Sequence, residues 1–124
     1  MLVKKINLPP KKLTDQIFDL DPKIRYAVIV DQYGEYIEGR MRRGVKSLNP
    51  EKEEKKLNTQ TAVARGMAKT WEDYFGKQNF SIISHEKMIL FRFPFGKDIV
   101  LVTAEPEVSL DIANRICDYL KSAG

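Results

Sequence analysis

Apolar and polar positions alternate along this chain with two periods, one near 3.6 and one of 2, and together they mark out eight segments. Pro9-Pro10 followed by Leu13, Ile17 and Leu20 predicts a short amphipathic helix over residues 10–20. Asp21-Pro22 closes it, because the residue before a proline leaves the α region. Arg25 to Asp31 reads as a strand apolar on both faces, hence central in a covered sheet. Gln32-Tyr33-Gly34-Glu35 supplies the turn, and Tyr36 to Arg43 alternates as a half-solvated edge strand. Phe80 to Ser84, Met88 to Phe93 and Ile99 to Ala104 are short β-branched or aromatic runs with tight turns between them, the pattern of an antiparallel meander. From Pro106 to Ser122, Val108, Ile112, Ala113, Ile116, Cys117 and Leu120 recur at helical spacing. Met1 to Leu8 reads either as an arm or as an additional edge strand.

The longest helical segment lies between Asn49-Pro50, a cap followed by a proline suited to the first turn, and Gly76, a stop. A continuous helix there would be about 40 Å long. Leu57, Gln60, Ala64, Met67, Ala68, Trp71 and Phe75 share an arc of about 100°, extended by Val63 and Tyr74, which is expected to lie on the core. Asn58, Arg65, Lys69 and Glu72 take the opposite side. A third arc, Thr59, Ala62, Gly66 and Thr70, holds only small residues. Since Gly66 costs about 1 kcal/mol of helix propensity relative to alanine, a close approach is expected there.

These elements predict a single α+β domain in the order α-β-β-α-β-β-β-α. It is a five-stranded antiparallel sheet sandwiched between one long helix and two terminal helices, the latter on the face away from the long one. The length of 124 residues leaves no room for a second domain. The 43% hydrophobic and 31% charged residues are ordinary for a globular chain and give no sign of a membrane span or secretory signal. The single cysteine excludes an intrachain disulfide and fits a reducing compartment, so a cytoplasmic location is expected.

Charge changes the picture in one place. Residues 1–49 hold ten Lys and Arg against six Asp and Glu, and the remainder hold eleven of each. The whole excess of +4 is therefore N-terminal, and Arg40, Arg42, Arg43 and Lys46 form its densest part. As residues on or after an edge strand they are expected to serve a partner surface and to add little to folding. A nucleic-acid phosphate, with Tyr33, Tyr36 and Phe95 to stack on bases, is the alternative occupant.

Chemistry is sparse. Neither a GxxxxGK[ST] nor a GxGxxG phosphate loop occurs, so no nucleotide cofactor is expected. His85 and Cys117 are the sole histidine and cysteine; the first falls in a hairpin turn and the second on an apolar helix face, so neither a metal site nor a nucleophile-base pair can be assembled. Glu53-Glu54 and Glu72-Asp73 are adjacent on helices and diverge by about 100°, which suits solvent better than acid-base catalysis. No catalytic residue is assigned, and the chain is not expected to be an enzyme. Arg92 is the one polar group in the apolar strands that a small-ligand sensor could use.

The element order, the run Tyr26-Ala-Val-Ile-Val-Asp-Gln-Tyr-Gly34 and the strand Asp98-Ile-Val-Leu-Val-Thr103 resemble the roadblock family, the dynein light-chain roadblock type, and in particular its small archaeal stand-alone members. The profilin and longin folds share much of the architecture. The likeness covers residues 11–122 and implies a roadblock-like domain over 11–124 preceded by an arm over 1–10. It further implies a non-catalytic module that dimerises and acts as a scaffold or regulator for a Ras-like small GTPase. Dimers of the family pair their third strands and lay their long helices side by side, which would put Thr59, Ala62, Gly66, Thr70, Phe80, Ile82 and Ser84 at the interface. The basic residues Arg40, Arg42, Arg43 and Lys46 match no family pattern.

Overall fold

The structure, a computed structural model, describes residues 8–123. Of the arm expected over residues 1–10, residues 1–7 lie outside the described ones, Leu8 packs against the core and Pro10 already opens a helix. The elements are α1 (Pro10–Leu20), β1 (Ile24–Val30), β2 (Tyr36–Met41), α2 (Glu54–Lys69), α3 (Glu72–Phe75), β3 (Ser81–Ser84), β4 (Ile89–Phe95), β5 (Asp98–Ala104) and α4 (Ile112–Ala123). All strand pairs are antiparallel, in the order β2-β1-β5-β4-β3. The two strands read as apolar on both faces, β1 and β5, are thus the inner pair with β4 beside them.

Two cores form because these inner strands bury both of their faces. On one side Leu13, Ile17 and Phe18 of α1 and Ile112, Ile116 and Leu120 of α4 close over Ala27, Ile29, Phe91, Phe93, Val100 and Val102. On the other side Tyr26, Val28, Val30, Leu90, Ile99 and Leu101 form a smaller cluster that takes Leu57 from α2. The terminal helices therefore share one face and the long helical segment occupies the other, as the alternation along the strands requires.

The β1–β2 turn is fixed by local chemistry. The Asp31 carboxylate accepts from the backbone N–H of Tyr33 (2.8 Å) and of Glu35 (3.0 Å), and Gly34 takes φ of 84°, a region that other residues avoid. A Cβ at Gly34 would meet Asn58 O and Thr59 Cα at 2.9 Å, so this glycine also lets the hairpin touch α2.

The 49–76 segment differs from its expected form. Asn49 does not cap: its side-chain amide donates to Pro50 O (3.4 Å), residues Glu51–Glu53 make a single 3-10 turn, and α2 proper begins at Glu54. At Thr70 and Trp71 the backbone N–H groups turn back to Met67 O and Ala68 O, both at 3.2 Å, and the Thr70 hydroxyl also donates to Met67 O at 2.7 Å. That competition for one carbonyl ends the α pattern. The single helix of about 40 Å becomes a 16-residue α2, about 24 Å long, and the short α3. Gly76, with φ of 81°, is the stop. The last helix is also shorter than its apolar period, because residues 105–111 are turns that still seat Val108 in the core. No helix among the described residues is long and apolar enough to cross a membrane.

Candidate functional site

The outer side of α2 and α3 is where the structure departs furthest from the pattern-based expectation. Asn58 and Thr61, at 6% and 0% exposure, are the residues that α2 buries against the sheet, and Arg65 and Glu72 follow them on the same side. Val63, Met67, Trp71, Tyr74 and Phe75, expected on the core, are 56–79% exposed except for Trp71 at 55%. The helix is thus rotated relative to its expected seating: Leu57 of the expected core arc still reaches the sheet and Lys69 stays exposed, while the five large apolar side chains that follow Leu57 turn outward. The polar groups beneath the helix satisfy one another only in part: Arg65 Nη2 donates to Glu72 Oε1 at 3.1 Å and Arg92 Nε, rising from β4, donates to Thr61 Oγ1 at 3.0 Å, while Asn58 Oδ1 and Arg65 Nη1 are buried without a partner among the described residues.

The exposed aromatic residues are ordered among themselves. Trp71 stacks on Phe75 with centroids 5.6 Å apart and planes at 17°, and leans on Tyr74 at 6.3 Å. Beside this patch runs the small-residue arc. The hydroxyls of Thr59 and Thr70 donate to Lys55 O and Met67 O of the same segment, Ala62 is half-buried, and a Cβ added at Gly66 would have nothing within 4 Å. No described part of the protomer comes close to Gly66, so its smallness has no use inside one copy.

Among the described residues β3 is the sheet edge on this side, paired to β4 alone. Phe80 and Ile82 pack against the α1/α4 core, Phe80 at 6.0 Å from Phe93, so of the strand residues expected at an interface these two are already engaged. Ser84 is exposed, and Ile83, which the sequence pattern did not single out, is 37% exposed and lies on the α2 side. Among the described residues the outer backbone edge of β3 has no partner strand.

The basic cluster divides in two. Arg42 is turned inward: Nε donates to Ile24 O at 2.6 Å and Nη2 donates to Phe18 O and Asp21 O, both at 2.7 Å, with the guanidinium 5.1 Å from the Phe18 ring centroid. Arg40 donates to Asp15 Oδ1 at 2.8 Å and lies 4.4 Å over the same ring. Its hydrogen bond holds the Asp15 carboxyl below the usual range, as do the positive charges of Lys11 and Arg43. The expectation that this cluster adds nothing to folding is corrected for these two, which tie β2 to α1. Arg42→Ala removes the donor from the carbonyls of Phe18 and Asp21 at the end of α1 and of Ile24 at the start of β1, and should cost about 2 kcal/mol, read as an earlier thermal transition with unchanged secondary structure. Arg43 and Lys46 stay exposed.

His85 is exposed and Cys117 is half-buried against the α1/α4 core. Among the described residues no three His, Cys, Asp or Glu side chains gather as metal ligands.

The model of a family of unknown function, DUF6659, matches residues 4–123. No curated protein matches the chain. Among solved structures, the Roadblock/LC7 domain from Streptomyces avermitilis superposes with a TM-score of 0.70 at 13% identity, covering 92% of this chain and 91% of its own. The gliding protein MglB from Thermus thermophilus gives 0.76 at 13% identity, with 98% and 94% covered. A structure of MglB with a tetrameric arrangement gives 0.76 at 13% identity, with 98% and 95% covered. Identity this low establishes the fold alone. The chain therefore belongs to the DUF6659 family, and its fold is that of the Roadblock/LC7 domains.

Proposed function

We propose that the protein is a homodimeric, non-catalytic scaffold or regulator, and that a Ras-like small GTPase is the partner it serves. The observation that carries this reading is the row Val63, Met67, Trp71, Tyr74 and Phe75, five large apolar side chains more than half exposed on one helical surface. A contiguous patch of this kind marks an interaction surface in a water-soluble domain, since each square ångström left in water forgoes about 25 cal/mol. A second copy of the chain is the occupant that fits it. Among the described residues β3 is an antiparallel edge with one side unpaired, and a two-fold axis could bring two such edges together. MglB, which shares the fold, has been captured in a tetrameric arrangement, and this supports self-association for the present chain.

The partner surface assigned to the GTPase includes Arg43 and Lys46, the cluster members whose side chains remain exposed. A charged rim steers association more than it adds affinity. The test is size-exclusion chromatography of the protein mixed with each Ras-like GTPase of its own organism, in GDP and GTP-analogue forms. A complex with two copies of this chain is expected. No complex with any of them removes the GTPase from the reading.

A further inference from the structure

Beneath the C-terminal half of α2 lies a cavity of about 150 Å³ that self-association does not explain. Thr61 and Arg65 from α2, Gln78 from the following loop, Ser81 from β3 and Arg92 from β4 line it, with Ile99 as part of its apolar wall. One water needs only ~10–15 Å³ of such space, so the volume suits a molecule of several heavy atoms.

The two guanidinium groups are incompletely used. Arg65 spends Nη2 on Glu72, while its Nη1 is buried without any partner. Arg92 spends Nε on Thr61 and makes no ion pair among the described residues, although burial disfavours its charged form and lowers its pKa. A half-buried cation without a counter-charge is costly, and a buried N–H without an acceptor adds to that cost. Among the described residues only one carboxylate, that of Glu72, is bonded to this pair of cations, so the site keeps an excess of one positive charge. Arg92 also interrupts the α2-facing row of β4, between Leu90, which joins the core on that side, and Pro94.

We propose that this cavity is a binding site for a small oxyanion, phosphate or a short carboxylate, held between Arg65 and Arg92 with the hydroxyl and amide donors of Ser81 and Gln78 completing the shell. The planar guanidinium fork matches either head group in a way that a lysine would not. The site lies under α2 while the self-association surface is on its outer side, so this inference stands whether or not the protein dimerises.

The experiment titrates the full chain with sodium phosphate and, separately, sodium succinate, with sodium chloride adjusted to hold ionic strength constant. Resonances of the arginine Nε–H groups and the melting temperature are followed. A saturable shift of the Arg92 Nε–H signal with at least one of the two anions is expected, and the anion that causes it assigns the head group. Arg92→Met should weaken binding at least tenfold. Ala64→Met, which fills the cavity from α2 and leaves both arginines in place, should do the same and decides the matter if the first variant folds poorly. Absence of saturation with both anions, or binding undiminished in Ala64→Met, overturns the proposal.

Discussion

Gly39→Ala should destabilise the protein strongly, with a loss of about 3 kcal/mol or more. Gly39 sits on β2 opposite Val28 of β1, and an added Cβ would fall 2.5 Å from Ala27 O, 2.5 Å from Val28 Cα and 2.7 Å from Val28 Cβ. Two of these three atoms belong to the backbone of β1, so no rotamer change relieves the clash. Nor can the strand withdraw, because β1 is hydrogen-bonded to β5 on its other side and buried on both faces. The overpacking must be met by shifting β2, which carries Arg40 and Arg42 away from Phe18. Out of a total stability of about 5–15 kcal/mol typical of such domains, the loss is a large share. Urea denaturation followed by circular dichroism measures it. A midpoint for Gly39→Ala within experimental error of the wild type would mean that β2 is more pliable than its register implies.

Gly66→Leu should have the opposite profile, a protomer that folds at least as well and a dimer that comes apart. Within one copy a Cβ at this position meets nothing within 4 Å, and leucine is the better helix former. A loss of association with the protomer's stability retained would therefore point to a second copy. The position lies between Ala62 and Thr70 on the small-residue arc, next to Met67 and Val63, so a partner helix seated on the apolar patch would approach it closely. Two-fold symmetry repeats the clash. An overpacking cost of about 3 kcal/mol for the pair of sites corresponds to association weakened about a hundredfold. Sedimentation equilibrium on Gly66→Leu reads this directly, and undiminished association would place the contact elsewhere on the surface.

Much of the fold was legible because it depends on local signals. Pro9-Pro10 and Asp21-Pro22 bound α1 at the residues expected. Asp31 and Gly34 mark the hairpin through bonds made within a few residues of chain. The apolar runs of β1 and β5 require a sheet covered on both faces. The role of α2 was not legible in the same way. A helical period tells which residues share a side of a helix; it does not tell whether that side meets the protein's own sheet or another chain. Here most of the large apolar side chains are turned outward, and the sheet is met by Asn58, Thr61 and Arg65 beside Leu57; the partners of Thr61 and Arg65, which are Arg92 and Glu72, reach them only after folding. Arg42 was missed for a related reason, since the carbonyls it holds lie 18–24 residues away. Arg92 was visible as the odd polar residue in an apolar strand, but the cavity it shares with Arg65 depends on how α2 is docked.

Whether a second copy of the chain covers the outer side of α2 is tested most directly by the molar mass of the wild-type protein in solution. Multi-angle light scattering across a wide concentration range should return twice the 14.3 kDa of the chain at micromolar concentration and above. A mass of one chain at every concentration would leave Val63, Met67, Trp71, Tyr74 and Phe75 without the partner proposed for them, and would contradict the homodimer.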